Sequence, residues 1–267
     1  MKKYLLPFLC FAFGIGLLSL LVTQMPTSLE AGSYNYRGGE GIYNTPHDLR
    51  PGTEAGTLYG ADDYLNRLCV WCHAPHHTLR PDDAPITGAY TPLWNREISE
   101  EVFTPYDNGI DPLTGPHKLQ ADVSGGPGAV SRLCLSCHDG SIAVNTYGYV
   151  PQDSRSIKTG NTTISAQYLI GGLGDLSNHH PIGFEYAAVV TGDDEIADVN
   201  TVMVQNTKGT GRSGQTLKIE DLLYNGKMEC VTCHDVHNSQ NPGAEKFLWK
   251  SDRNSAFCVT CHLKGTP

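Results

Sequence analysis

Positive charge is scarce in this 267-residue chain: 19 Lys and Arg stand against 28 Asp and Glu, for a formal net charge of −9. Such an acidic balance argues against nucleic acid as a partner, because phosphate binding needs lysine and arginine to release counterions. It permits docking to basic partners or metal oxides, and by itself it serves solubility. Apolar content is low as well. Hydrophobic residues make up 39% of the chain, beside 29 glycines and 16 prolines. A polypeptide of that composition has a thin, loop-rich core if it must bury only itself. Of four methionines, two lie beyond the N-terminal segment, Met203 and Met228, and neither has a counterpart elsewhere in the chain. Recurrent sulfur ligation of a metal is therefore disfavoured. A nucleotide loop is missing too: Gly171-Gly172-Leu173-Gly174 lacks the strand context and spacing of a phosphate cradle and reads as a loop.

Cysteine is the most tightly confined residue. Cys10 lies in an N-terminal apolar run and has no assigned role; every other cysteine falls in one of four copies of Cys-x-x-Cys-His. The copies are Cys69-Val70-Trp71-Cys72-His73, Cys134-Leu135-Ser136-Cys137-His138, Cys230-Val231-Thr232-Cys233-His234 and Cys258-Val259-Thr260-Cys261-His262. One Cys-x-x-Cys is ambiguous among zinc, redox and haem chemistry. Four, each followed directly by histidine, point to c-type haem: two thiols add to the porphyrin vinyl groups and the adjacent imidazole reaches the iron. The expected cofactor is heme c, four per chain. With little polypeptide per porphyrin, the cofactors replace side chains as the centre of the fold. The expected fold class is a multihaem cytochrome c, mostly coil with short helices and a few short strands, organised around four stacked haems.

Residues 1–31 read as a secretory signal peptide: Lys2 and Lys3, an apolar run from Leu5 to Val22, then a polar stretch ending at Ala31. An uncleaved membrane anchor is the competing reading. Export agrees with the chemistry, because c-type haem is attached outside the bacterial cytoplasm. Residues 32–145 then form a first dihaem module, and 146–267 a cysteine-free connecting segment with a second dihaem module. Thr201 to Gln205 alternates in polarity and predicts a short strand. Asn161-Thr162-Thr163 matches the glycosylation triplet weakly.

The two modules repeat one plan. The first motif of each carries a further histidine three residues on, His76 and His237, and is followed by Leu93-Trp94 or Leu248-Trp249. Another histidine precedes each pair, His47 and His180. Irons ligated by His73, His138, His234 and His262 thus have four distal candidates: His47, His76, His180 and His237. A histidine so near its own motif cannot readily cap the same iron and is expected to cross to a neighbouring haem. His77, His117 and His179 are further candidates, and His179 directly precedes His180. Trp94 and Trp249 are expected to pack on haem faces.

Cys72-His73-Ala74-Pro75-His76, Pro92-Leu93-Trp94-Asn95, Leu133 to Gly140, His180-Pro181-Ile182-Gly183-Phe184 and Cys233 to His237 together resemble the doubled Cys-x-x-Cys-His cytochromes. The four-haem count and the order of elements are most similar to the extracellular tetrahaem cytochrome nanowires. The resemblance implies a bis-histidine haem chain that polymerises head to tail with identical subunits, in which a histidine of one subunit ligates a haem of the next. His47 is the first candidate for that reach. It also implies secretion to the cell surface and exchange with other redox cytochromes or extracellular acceptors. A soluble periplasmic shuttle is the alternative. A multihaem reductase needs an iron with a vacant face; the surplus of histidines and the absence of a motif with lysine in place of histidine argue against one, so no catalytic residues are expected.

Overall fold

The computed structural model describes residues 41–43, 45–76, 78–79, 93–106, 110–111, 115–116, 121–148, 160–204, 216–237 and 247–263. All of them belong to one compact unit, Tyr36–Pro267. The signal-peptide reading, Cys10, His77 and His117 lie outside the described residues. Among the described residues no helix is long and apolar enough to cross a membrane.

Regular structure is sparse and short. Helix α1 spans Glu54–Leu58, started by Thr53, whose side chain accepts from the Gly56 N–H. Three two-stranded antiparallel ladders follow. Strand β1 (Ile110–Asp111) pairs with β2 (Gly115–Pro116). Helix α2, Ala129–His138, holds the whole second motif in its last turns. Strand β3 (Phe184–Glu185) runs into helix α3 (Tyr186–Gly192), and strand β4 (Val202–Val204) pairs with β5 (Leu217–Lys218) around an irregularity at Met203. Strand β6, Lys227–Met228, returns to β3 with Phe184 opposite Met228. Single helical turns α4 (Cys230–Cys233) and α5 (Cys258–Cys261) carry the third and fourth motifs. The mostly coil expectation agrees with this inventory, and Thr201–Gln205 contains the strand Val202–Val204.

The core is divided rather than central. Its largest cluster comes from the cysteine-free connecting segment, with Tyr186, Met203, Ile219 and Met228 among its buried members. Trp249, Phe257, Cys233 and Cys261 of the second motif pair pack against it. That segment is therefore the platform on which the second pair rests. Burial of each such side chain is worth roughly 1.5–3 kcal/mol. A second cluster joins Trp71 and Val70 of the first motif to Tyr59, Val144 and Tyr147. A third packs Trp94 with Leu79, Ile98 and Leu133. Both methionines of the connecting region are buried in the apolar core, which accounts for them without ligation.

Helix α2 shows how distant chain is recruited to hold a motif. Its N-cap, Gly128, has no side chain with which to cap. The Glu229 carboxylate takes over from about a hundred positions away, accepting from the Gly128 N–H at 3.2 Å and from the Ser131 hydroxyl. Ser131 in turn accepts from the Cys230 N–H at 3.0 Å. A helix start thus gains an acidic partner at its positive end, and motifs two and three are tied together. A β-carbon at position 128 would overlap the Glu229 carboxylate and displace it from the helix start.

Candidate haem-attachment and ligation site

Each motif is one helical turn, because that turn places the two thiols side by side. The motif histidine N–H donates to the carbonyl of the first cysteine in the first, third and fourth copies, at 2.8, 2.9 and 2.9 Å. After the turn the chain leaves helical geometry. His73 bridges to Trp94, His234 to Leu248 and His262 to Ile196 in antiparallel pairings. His138 remains in α2, and its carbonyl accepts from the Ile170 N–H at 2.6 Å.

None of the eight motif cysteines, Cys69, Cys72, Cys134, Cys137, Cys230, Cys233, Cys258 and Cys261, is in a disulfide. Burial pushes the Cys72 and Cys233 thiols up to about 12. Cys134 and Cys230 meet at the junction of the second and third motifs; Cys134 donates to Cys230 and is raised, and Cys230 is lowered. Charge interactions also relate Cys72 to Cys137 and Cys233 to Cys261. The cysteines are thus neighbours in the order one, two, three, four.

The histidines form facing pairs, each joining a motif histidine to one outside the motifs. His47 faces His138, His237 faces His73, and His180 faces His262. In every pair the ring centroids are 6.2 Å apart. Two imidazoles bound to one metal through nitrogens at about 2 Å hold their ring centres roughly 6 Å apart, which matches this separation. Two rings are oriented by their other nitrogen. His138 Nδ1 lies 2.9 Å from the Tyr168 carbonyl and His180 Nδ1 3.0 Å from that of Pro181. A carbonyl accepts from an N–H, which leaves Nε2 of each ring for a metal. Among the described residues no group of three or more His, Cys, Asp or Glu is arranged around one point as a metal cluster. Opposed imidazole pairs beside paired thiols fit a porphyrin iron better than a tetrahedral ion.

Sequence candidates divide accordingly. His47 stacks on Phe247 at 4.7 Å as well as facing His138. Burial first, then the neighbouring His138, His234 and His237, lowers its pKa to about 4, so the ring stays neutral and able to ligate. Within its own chain His47 thus lies beside a motif histidine, at the ring separation of the other two pairs. His237 does cross from the second pair to the first. Between the adjacent histidines, His180 meets a motif imidazole; His179 instead presents Nε2 to the Gly171 N–H at 3.5 Å. His76 is exposed, and among the described residues it faces no other imidazole.

The Leu-Trp repeat is corrected by one residue. Ala74 N–H donates to the Leu93 carbonyl at 3.0 Å, and Asp235 N–H to that of Phe247 at 2.6 Å. Asn95 and Trp249 N–H groups donate to the Cys72 and Cys233 carbonyls, both at 3.1 Å. Leu93 therefore corresponds to Phe247, both at positive φ (56° and 58°). Trp94 corresponds to Leu248 and Asn95 to Trp249. The side chains agree: Asn95 Nδ2 donates to the Val70 carbonyl at 2.6 Å, and Trp249 Nε1 to the equivalent Val231 carbonyl at 2.9 Å. Trp94 and Trp249 are not a repeated pair, because backbone pairing to the motif, not residue identity, sets the register. Asn95, Arg96, Glu229 and Phe247 were not singled out from the sequence; the buried acid directly before Cys230 was the available signal.

The model for the doubled CXXCH motif matches residues 224–266, which contain the third and fourth motifs. The second pair is thereby a paired CXXCH motif of the multihaem cytochrome c type, a motif that carries covalently bound c-type haem in electron transfer. No curated protein matches the chain.

Proposed function

We propose that the chain binds four haems, one on each motif, and conducts electrons along them without turning over a substrate. The facing histidine pairs carry this reading: three different motif histidines each oppose a non-motif histidine across the same 6.2 Å gap. Iron capped on both sides has no open position, which favours conduction over reductase chemistry. The chain's own residues lower the proton affinity of His47 and His180 through burial and orient His138 and His180 through carbonyls. Reduced holoprotein is expected not to bind carbon monoxide; binding at even one haem of the four would favour a reductase.

The same reading extends to a filament of identical subunits outside the cell, exchanging electrons with other cytochromes or extracellular acceptors. The resemblance of both motif pairs to the tetrahaem nanowires supports it, as does exposed His76, a ligand-capable ring free to meet a neighbouring copy. An open head-to-tail contact propagates without closing. Electron micrographs of cell-surface material should show filaments that His76→Ala reduces to single subunits. Native protein that stays monomeric and fully low-spin would instead make it a periplasmic shuttle.

A further inference from the structure

Arg96 is a cation in the interior with no matching anion among the described residues. The residue is 1% exposed, a burial that arginine almost never reaches unless paired. Its Nη1 donates to the carbonyls of Trp71 at 3.4 Å, Val144 at 2.9 Å and Thr146, and its Nη2 to that of Ala143 at 2.8 Å. Every acceptor is neutral. Among the described residues no carboxylate forms an ion pair with it, and its buried Nε has no hydrogen-bond partner. Trp71 lies inside the first motif, and Ala143 to Thr146 follow closely on the second. The charge is thus lodged between the two.

The corresponding residue of the second pair, by the backbone register, is Lys250. It is only partly buried and donates to the Thr260 hydroxyl at 2.8 Å. Water screens a charge so placed far more than one enclosed in protein. Buried carboxyls flank motifs of both pairs, Asp139 after the second and Glu229 and Asp235 around the third, so the enclosed cation is what sets the first pair apart. Reducing a ferric site removes one unit of positive charge from it, so a nearby fixed cation favours the reduced form and a carboxylate opposes it.

We propose that Arg96 gives conduction a direction: its fixed charge holds the haems of the first motif pair at higher reduction potential than those of the second. An electron taken from an external one-electron donor at the second pair then runs downhill to the first and leaves to an external acceptor. Each transfer oxidises one iron and reduces the next, with no bond made or broken. The proposal rests on the haem reading above.

The test is a redox titration of full-length holoprotein, with each haem followed through its own shifted methyl resonances. Arg96→Gln is expected to lower the reduced-to-oxidised ratio of a first-pair haem about tenfold at fixed poise, or about 59 mV for one electron, leaving the fourth-motif haem unmoved. Arg96→Lys, which keeps the charge, should move it by less than half as much. Unchanged potentials in Arg96→Gln with the low-spin haem intact would overturn the proposal, and so would equal shifts in both variants. Should Arg96→Gln not assemble, the unaltered protein decides: the first pair reduced first supports the proposal, and the second pair reduced first overturns it. Protein without haem would sink the conduction reading itself, whereas haem with unmoved potentials sinks this proposal alone.

Discussion

The first motif pair encloses its cation in backbone carbonyls, whereas the second leaves the corresponding lysine only partly buried. Around both, the backbone is the same: a helical turn, a histidine in an antiparallel bridge, and a returning segment that passes through a positive-φ residue. Attachment constrains that frame, since two thiols and an imidazole must reach one porphyrin together. Side chains around it are under no such constraint. Asparagine and tryptophan perform the same task at positions 95 and 249, donating to the carbonyl between the motif cysteines. The second motif of each pair diverges further. In the first pair it ends a ten-residue helix capped from afar by Glu229; in the second it is a four-residue turn with Thr260 bonded back to the Ala256 carbonyl at 3.1 Å. The shared backbone frame thus leaves the side chains around each motif free to differ.

On the proposed ligation one ring, His237, crosses from the second pair to His73 of the first, and removing it should produce the largest effect. His237→Ala removes from the second pair a ring that serves the first. One haem of the holoprotein should become high-spin and bind carbon monoxide, the signal belonging to the first-motif haem. His180→Ala should do the same at the fourth motif, while His179→Ala leaves the spectrum unchanged. A first-motif haem that stays low-spin in His237→Ala would break the crossed assignment.

Glu229, at the seam between the pairs, should come next. Glu229→Ala leaves the Gly128 N–H and Ser131 hydroxyl without their acceptor, at a cost of about 2–3 kcal/mol, measurable by urea unfolding. Burial raises the folded pKa of this carboxyl above its ordinary 4.5, against the lowering effect of its hydrogen bonds. The folded state therefore binds its proton more tightly than the unfolded chain does. The resulting stabilisation is fully present below 4.5 and is lost as pH rises through the folded value. Glu229→Gln should flatten stability over that window; an unchanged pH slope would count against a buried, titrating Glu229.

Much of the attachment chemistry is legible in the sequence because it is local. Cys-x-x-Cys-His reads as one helical turn wherever it occurs, and a chain rich in glycine and proline with few apolar residues reads as coil. The partners of the distal histidines are not legible, because His47 meets His138 and His237 meets His73 through long-range packing that spacing does not encode. The Leu-Trp dipeptides mislead by identity: hydrogen bonds to Cys72 and Cys233 align Asn95 with Trp249, one position away. Arg96 is equally hidden, since an isolated arginine in an acidic chain reads as surface. The connecting segment gives a strand signal at Thr201–Gln205, but its role as the core beneath the second pair depends on β3, β4, β5 and β6 meeting across the sequence.

The smallest effects should sharpen that one-residue register. If Asn95 and Trp249 are equivalents, removing the donor from each should weaken its own motif turn and not the other. Asn95→Ala strands the buried Val70 carbonyl and deletes a fully buried amide, for a loss of about 1–3 kcal/mol. Trp249 is less buried, and Trp249→Leu keeps an apolar contact with the core while losing the bond to Val231. Part of its loss is then packing, so the hydrogen-bond share is about 1 kcal/mol. Amide exchange separates the two terms: Cys72 and His73 amides should exchange faster in Asn95→Ala, Cys233 and His234 amides in Trp249→Leu. Trp94→Leu gives the decisive contrast. Its indole N–H is buried without a hydrogen-bond partner, so its removal should leave exchange at the Val70 carbonyl's turn unchanged. Faster exchange there would restore the Leu-Trp alignment.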